Sequence, residues 1–196
     1  MKKILLIICS IVCIPHILLY LLNIALGSGI IKKDLSVWKI KKNKVENNLL
    51  SLVRFLLLYP EFRSVFYFRL GIISRILCFY LPPRTNLYFV TKSANIGGGL
   101  YVGHGWGTVI NAKKIGENFT IAQNCTIGSR NGKIAEIGDN VSVWAHSVVL
   151  GGIKIGNNTQ IGAGSVVVKD VPSNAIVVPA KSEIIRLNGE RVNILL

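Results

Sequence analysis

Acidic side chains are scarce in this chain. Nine Asp and Glu stand against 23 Lys and Arg in 196 residues, a formal net charge of +14. The imbalance is uneven: residues 1–90 carry 13 basic and 3 acidic side chains, residues 91–196 carry 10 and 6, so the surplus is +10 and then +4. The more basic half is also the more apolar one, a pairing that suits an anionic membrane surface better than nucleic acid. No nucleic-acid module is readable, and the basic residues are not interleaved with aromatics along a repeat. Cysteine is sparse too. Cys9, Cys13, Cys78 and Cys125 have no metal-ligand spacing, so no metal is expected, and nothing points to an oxidising compartment. Charge is missing altogether from residues 4–26, ILLIICSIVCIPHILLYLLNIAL, a run long enough to span a bilayer. The run lacks a small-x-small cleavage site near a polar region, which counts against a cleaved secretory signal.

These absences divide the first half of the chain. Residues 1–30 read as a hydrophobic membrane segment, which Pro15 should kink or break into a re-entrant pair. Lys32, Lys33, Lys39, Lys41, Lys42 and Lys44 follow. By the positive-inside rule they keep the bulk of the chain on the cytoplasmic side of a bacterial inner membrane. Residues 31–86 read as a basic, apolar helical region. In it Arg54, Arg63, Arg69 and Arg75 punctuate LLSLVRFLLLYPEFRSVFYFRLGIISRILCFYLPP. Helices packed on the rest of the protein, or lying in the membrane interface with arginines reaching for phosphates, both fit this pattern.

What the second half has in abundance is a six-residue period. Branched aliphatics recur at Ile96, Val102, Val109, Ile115, Ile121 and Ile127, then at Ile137, Val143, Val149, Ile155, Ile161 and Val167. Glycine follows seven of the twelve, where it is expected to ease a tight corner. Two residues earlier sit mostly small or apolar residues such as Cys125, Ala135, Ser147 and Ser165. A period of six is neither helical nor the alternation of a surface strand; it is that of a parallel β-helix of hexapeptide repeats, three flat faces per coil and about four coils. The fold class is therefore mainly β. The prism is placed at 87–171, after the helical N-terminal region, with 172–196 as a C-terminal cap or tail.

Two interruptions break the period. The first carries Gly103-His104-Gly105-Trp106-Gly107. An imidazole between glycines, beside a break in a rigid scaffold, is a candidate general base. Gly103 and Trp106 flank it as candidate acceptor contacts. The second carries Ser129-Arg130-Asn131-Gly132-Lys133, in which Arg130 and Lys133 are candidates for an anionic acceptor or for the phosphates of a carrier. His146 falls at an outward position of an unbroken coil and reads as structural or surface-exposed.

Together YPEFRSVFYFRLG, IGGGLYVGHGWGTVI and IGAGSVVVKDVP resemble the hexapeptide-repeat acyltransferases, in particular the serine acetyltransferase branch and its relatives in surface-polysaccharide biosynthesis. The resemblance implies a left-handed β-helix, a homotrimer and acetyl-CoA as co-substrate in the groove between prisms. It makes His104 the base that deprotonates an acceptor hydroxyl. It puts Ala163 and Gly164 beside the pantetheine arm, and Lys169 and Lys181 near the coenzyme's phosphates. Apolar Val148, Val149 and Leu150, expected on a prism face, would add buried area to a trimer. The sequence also departs from that branch. Gly103 stands where an aspartate precedes the matching histidine, Phe89-Val90-Thr91-Lys92 replaces an Asp-Ile-His-Pro stretch, and Ile134 stands nearest to a second histidine. Those groups meet the serine substrate or orient the base. Their loss, with the apolar N-terminus, favours a sugar hydroxyl in a membrane-associated glycan pathway as acceptor. A serine O-acetyltransferase and a non-enzymatic assembly protein are the alternatives.

Overall fold

The computed structural model describes residues 9–195. A 3₁₀ turn, Ser10–Cys13, leads into helix α1, Ile14–Ala25. Pro15 lies in the first turn of α1, where a missing N–H costs nothing, so it starts the helix rather than kinking it. The break comes later, at Gly27 and Gly29, both with positive φ. Helix α2, Ile30–Lys41, then leaves at 118° to α1. Among the described residues no single helix is long and apolar enough to cross a membrane, although this bent pair passes the test jointly. Residues 4–8 of the uncharged run lie outside the described residues.

Helix α3, Asn48–Leu58, is capped by Asn47, whose Oδ1 accepts the Leu50 N–H at 2.9 Å. Pro60 opens α4, Pro60–Leu70, and Gly71 at φ 76° ends it before the short α5, Ile72–Leu77. Trp38 is the centre of the helical core: its ring meets Phe62 at 5.1 Å and Tyr101 at 4.7 Å, and its Nε1 donates to the Leu100 carbonyl at 3.0 Å. The helical region is thus packed on the start of the prism.

A buried ion pair secures that junction. Arg69 Nε donates to Asp34 Oδ2 at 2.9 Å, and Asp34 Oδ1 accepts the N–H groups of Gly99 and Leu100 at 2.8 and 2.7 Å. Arg69 also donates to the carbonyls of Ser93, Ile96 and Gly97. Burial pushes the Asp34 carboxyl pKa up, while Arg69 and the two amides pull against it. The arginines expected to reach for phosphates are mostly engaged inside: Arg63 serves the carbonyls of Leu56 and Pro82, Arg54 pairs with Glu46, and only Arg75 is left exposed.

The prism is built from β1 (Leu87–Phe89), β2 (Tyr101–Val102), β3 (Thr108–Ile110), β4 (Lys114–Ile115), β5 (Thr120–Ile121) and β6 (Thr126–Gly128). It continues through β7 (Glu136–Ile137), β8 (Ser142–Val143), β9 (Val148–Leu150), β10 (Lys154–Ile155), β11 (Gln160–Ile161), β12 (Val166–Val167) and β13 (Ile176–Val177). All pair in parallel, on three faces ordered β1-β3-β6-β9-β12, β4-β7-β10 and β2-β5-β8-β11-β13. Isolated bridges from Ile96 to Ile115 and from Ile155 to Val171 extend the second face at both ends. The parallel rungs therefore run past 171, to Val177.

Eleven of the twelve periodic aliphatics are buried, and one is displaced: Val109 is half-buried while Ile110 is fully buried and pairs with Ile127. The loop after Val102 absorbs the extra residue one position later than the period suggests. The glycines after the aliphatics have a different use from the one expected. None of Gly97, Gly116, Gly138 and Gly156 has positive φ. A Cβ on Gly116 would stand 2.6 Å from the backbone of Gly138, and one on Gly156 2.3 Å from the Ser173 nitrogen, so these glycines admit the next coil. The corner itself is turned two residues on, by Asn118, Asn140, Asn158 and Asn174 at positive φ. Their side-chain amides form a ladder, each Nδ2 donating to the next Oδ1 at 2.9–3.0 Å. Val149 points into the core, and Val148 and Leu150 are half-buried, so this trio is not the exposed apolar patch expected on the prism. After Val177 the chain forms an antiparallel hairpin, β14 (Glu183–Leu187) with β15 (Glu190–Leu195), none of whose residues joins the prism core.

Candidate active site

The edge between the face that holds β2 and the face that holds β3 collects the site. At this edge each coil turns with a short segment after an inward aliphatic: Gly103–Gly107 after Val102, Ala122–Asn124 after Ile121, Trp144–His146 after Val143, and Gly162–Gly164 after Ile161. Because coils stack in register, residues about one coil apart stand side by side. They bound a groove of about 520 Å³ lined by Tyr101, Gly103, His104, Ala122, Gln123, Trp144, Ala145 and Ala163.

His104 is exposed in this groove at φ 65°. The Gly105 N–H donates to the Gly103 carbonyl at 2.8 Å, closing a three-residue turn with His104 at its apex. Positive φ is uncommon outside glycine and asparagine. Here it lifts the imidazole clear of the backbone. Among the described residues His104 makes no hydrogen bond or ion pair, so both ring nitrogens are available to a ligand. The floor next to it is made of small residues, Ala122, Ala145 and Ala163. The Gly162 and Gly164 N–H groups are taken by Val177 and Ala145, whereas the Ala163 N–H between them has no partner among the described residues.

The loop is held from the helical side. Arg84 lays its guanidinium over the Trp106 ring at 4.1 Å, pairs with Glu61 at 3.0 Å and gives its own N–H to Ser64 Oγ at 2.9 Å. Trp106 thus turns toward Arg84 and does not line the groove. Gly103 does line it, with room to spare: a Cβ there would meet nothing closer than 3.5 Å.

The remaining candidates divide. Ala163 stands in the groove with His104, and Gly164 on the same edge. Arg130 and Lys133 do not: they close a tight antiparallel bridge on the next edge of the prism, beside a separate groove of about 350 Å³ with Lys113 and Lys154. Lys169 is exposed on that second edge, and Lys181 is exposed just before β14. His146 takes a turn position in register with Asn124 and Gly164, all at positive φ, which fits the structural reading. Its N–H donates to the Gln123 carbonyl. Cys125 is a core thiol, its Sγ directed at the Trp144 carbonyl at 3.0 Å, and burial raises its pKa. No cluster of metal-ligating side chains occurs among the described residues. Sequence reading missed Tyr101, Ala122, Gln123, Trp144 and Ala145. The signal was available, since most of these follow an inward aliphatic by one or two residues, one coil from the next.

Residues 134–169 match the family described as bacterial transferase hexapeptide (six repeats). The chain is 44% identical over 108 residues to a serine acetyltransferase of Staphylococcus aureus, covering 53% of this chain and 51% of that one. A serine acetyltransferase of Staphylococcus epidermidis is 42% identical over the same length. The chain thus spans about half the length of the curated relatives it matches. Among solved structures, Neisseria gonorrhoeae serine acetyltransferase in complex with serine matches with a TM-score of 0.56 and 27% identity, covering 78% of this chain and 66% of that one. Entamoeba histolytica serine acetyltransferase 1 in complex with L-cysteine shares the fold, with a TM-score of 0.61 at 24% identity over 82% of this chain and 66% of that one. By repeat, fold and likeness the chain is similar to hexapeptide-repeat proteins of the serine acetyltransferase type.

Proposed function

We propose that the protein is an acetyl-CoA-dependent O-acetyltransferase with His104 as general base. The observation that carries this reading is the unpartnered His104 imidazole in one groove with Ala163, the position assigned by resemblance to the donor's pantetheine arm. Acetyl-CoA supplies an activated acyl group as its thioester. His104 takes the proton of the acceptor hydroxyl, and the acceptor oxygen bonds to the acyl carbon as the carbon–sulfur bond breaks. The imidazolium then returns the proton to the departing sulfur. A homotrimer, as the resemblance implies, would bring a second prism against the groove, and mass measurement in mild detergent tests it.

The likeness to serine acetyltransferases favours the hydroxyl of L-serine as acceptor over the sugar hydroxyl that the sequence alone favoured. One observation supports the sugar reading: none of the residues lining the groove is a carboxylate that would meet the serine ammonium group. Thiol release from acetyl-CoA, measured with L-serine and with a panel of free sugars, separates the two. Serine-dependent release supports the first and sugar-dependent release the second. Acetyl-CoA binding without turnover on any hydroxyl would overturn the enzymatic reading. Gly103→Asp, which the open space at Gly103 accommodates, is expected to raise turnover with serine relative to sugars.

A further inference from the structure

Helix α1 is apolar on both sides. One stripe, Cys13, His16 and Tyr20, is buried in the helical core. On the other, Leu18, Leu22 and Leu26 recur every fourth residue and are 61%, 54% and 77% exposed. A helix in contact with water normally turns a polar face outward; one apolar all round is covered by something. Helix α5 and the residue pair after it continue the same surface. Ile72, Ile76 and Phe79 are 67%, 65% and 77% exposed, while Ser74 and Cys78 point inward. The two segments are neighbours: α1 packs on α5, the Tyr80 hydroxyl donates to the Val12 carbonyl at 2.7 Å, and the His16 and Tyr80 rings lie 5.8 Å apart.

Charge decides what covers this face. All three acidic residues before residue 90 are neutralised within the chain: Asp34 by Arg69, Glu46 by Arg54 and Glu61 by Arg84. Arg75, on α5 itself, has no carboxylate partner among the described residues, nor have Lys32 and Lys44; Lys41 and Lys42 have none either and lie over the Tyr101 and Tyr59 rings. A second copy of this region would bring uncompensated cations against their like, which disfavours self-association. A surface rich in phosphate complements them, and amphipathic helices bind such surfaces by burying apolar side chains between headgroups while basic residues meet the phosphates.

We propose that α1 and the α5 segment form one face that lies in the headgroup region of an anionic phospholipid bilayer, holding the prism at the interface without α1 or α2 crossing it. The proposal is independent of the acetyltransferase reading. Its test is flotation of the full chain with phosphatidylcholine vesicles, with and without phosphatidylglycerol. The chain is expected to float with the anionic vesicles and to stay behind with the neutral ones. Phe79→Ser should weaken partitioning about tenfold and Ile76→Ser/Phe79→Ser on the order of 100-fold, the loss expected from one and two apolar side chains withdrawn from lipid. Neither residue lines the His104 groove, so thiol release measured without vesicles should be unchanged in the double variant. Loss of that release alone leaves the lipid result readable. Equal binding to neutral vesicles, or undiminished binding by the folded double variant, would overturn the proposal. So would a discrete oligomer in vesicle-free buffer that the double variant dissociates, which would give the face to a second copy.

Discussion

Replacing Asp34 by alanine should be among the most damaging single changes outside the groove. The Arg69 side chain is fully buried, and Asp34 is its only carboxylate partner among the described residues. Alanine leaves a guanidinium charge uncompensated in the junction, a loss of about 3–5 kcal/mol when one partner of a buried pair is removed. It also strands the N–H groups of Gly99 and Leu100, which both donate to Oδ1. Asparagine leaves the same charge uncompensated but keeps an oxygen for those two donors, so its cost should be smaller than that of alanine by about 1–2 kcal/mol. For a chain of this length each kcal/mol corresponds to roughly 2–4 °C in Tm, so Asp34→Ala should melt roughly 10–15 °C below the parent and Asp34→Asn roughly 3–5 °C above Asp34→Ala. The double variant Asp34→Leu/Arg69→Met removes both charges and should recover part of the loss, but not all, because the amides remain unpaired. Thermal melts followed by far-ultraviolet circular dichroism, with denaturant titrations alongside, measure all three. An Asp34→Ala protein within about 1 kcal/mol of the parent, or one no worse than Asp34→Asn, would refute the junction argument.

His104→Ala should lower the rate of thiol release by roughly 100-fold to 10,000-fold with acetyl-CoA binding retained, and an unaltered rate in a folded variant would end the catalytic assignment. Ile110→Ala should cost about 2–5 kcal/mol in denaturant titrations and Val109→Ala well under half of that, since the first is buried and the second half-exposed. The reverse order would mean that the displaced register is wrong.

The prism was legible because a hexapeptide period encodes it redundantly: one misplaced residue, Val109 for Ile110, left eleven others to fix the faces. His104 was legible because its flanking glycines mark a break in that period. The rest of the groove was hidden in the stacking. Trp144 and Gln123 acquire meaning only when coils one circuit apart are set side by side, and a period of six does not by itself say which corners share an edge. That is also why Arg130 and Lys133 were grouped with His104 although they stand on another edge. The helical half was hardest. Its arginines look alike in sequence, but Arg63 and Arg69 are consumed by carbonyls and Asp34 within the fold, and only tertiary contacts tell them from Arg75.

The asparagine ladder has a consequence for how such a protein changes length. Asn118, Asn140, Asn158 and Asn174 each need a neighbour one full circuit away, and their amides interlock only along a single edge. Losing one hexapeptide would rotate everything downstream by one face and set asparagines against residues from other corners. Losing a complete circuit would shorten the prism and leave each remaining amide opposite another. The scaffold is therefore quantised in whole turns. Circuits beyond Ala163 can be gained or lost while His104 and its loop keep their address.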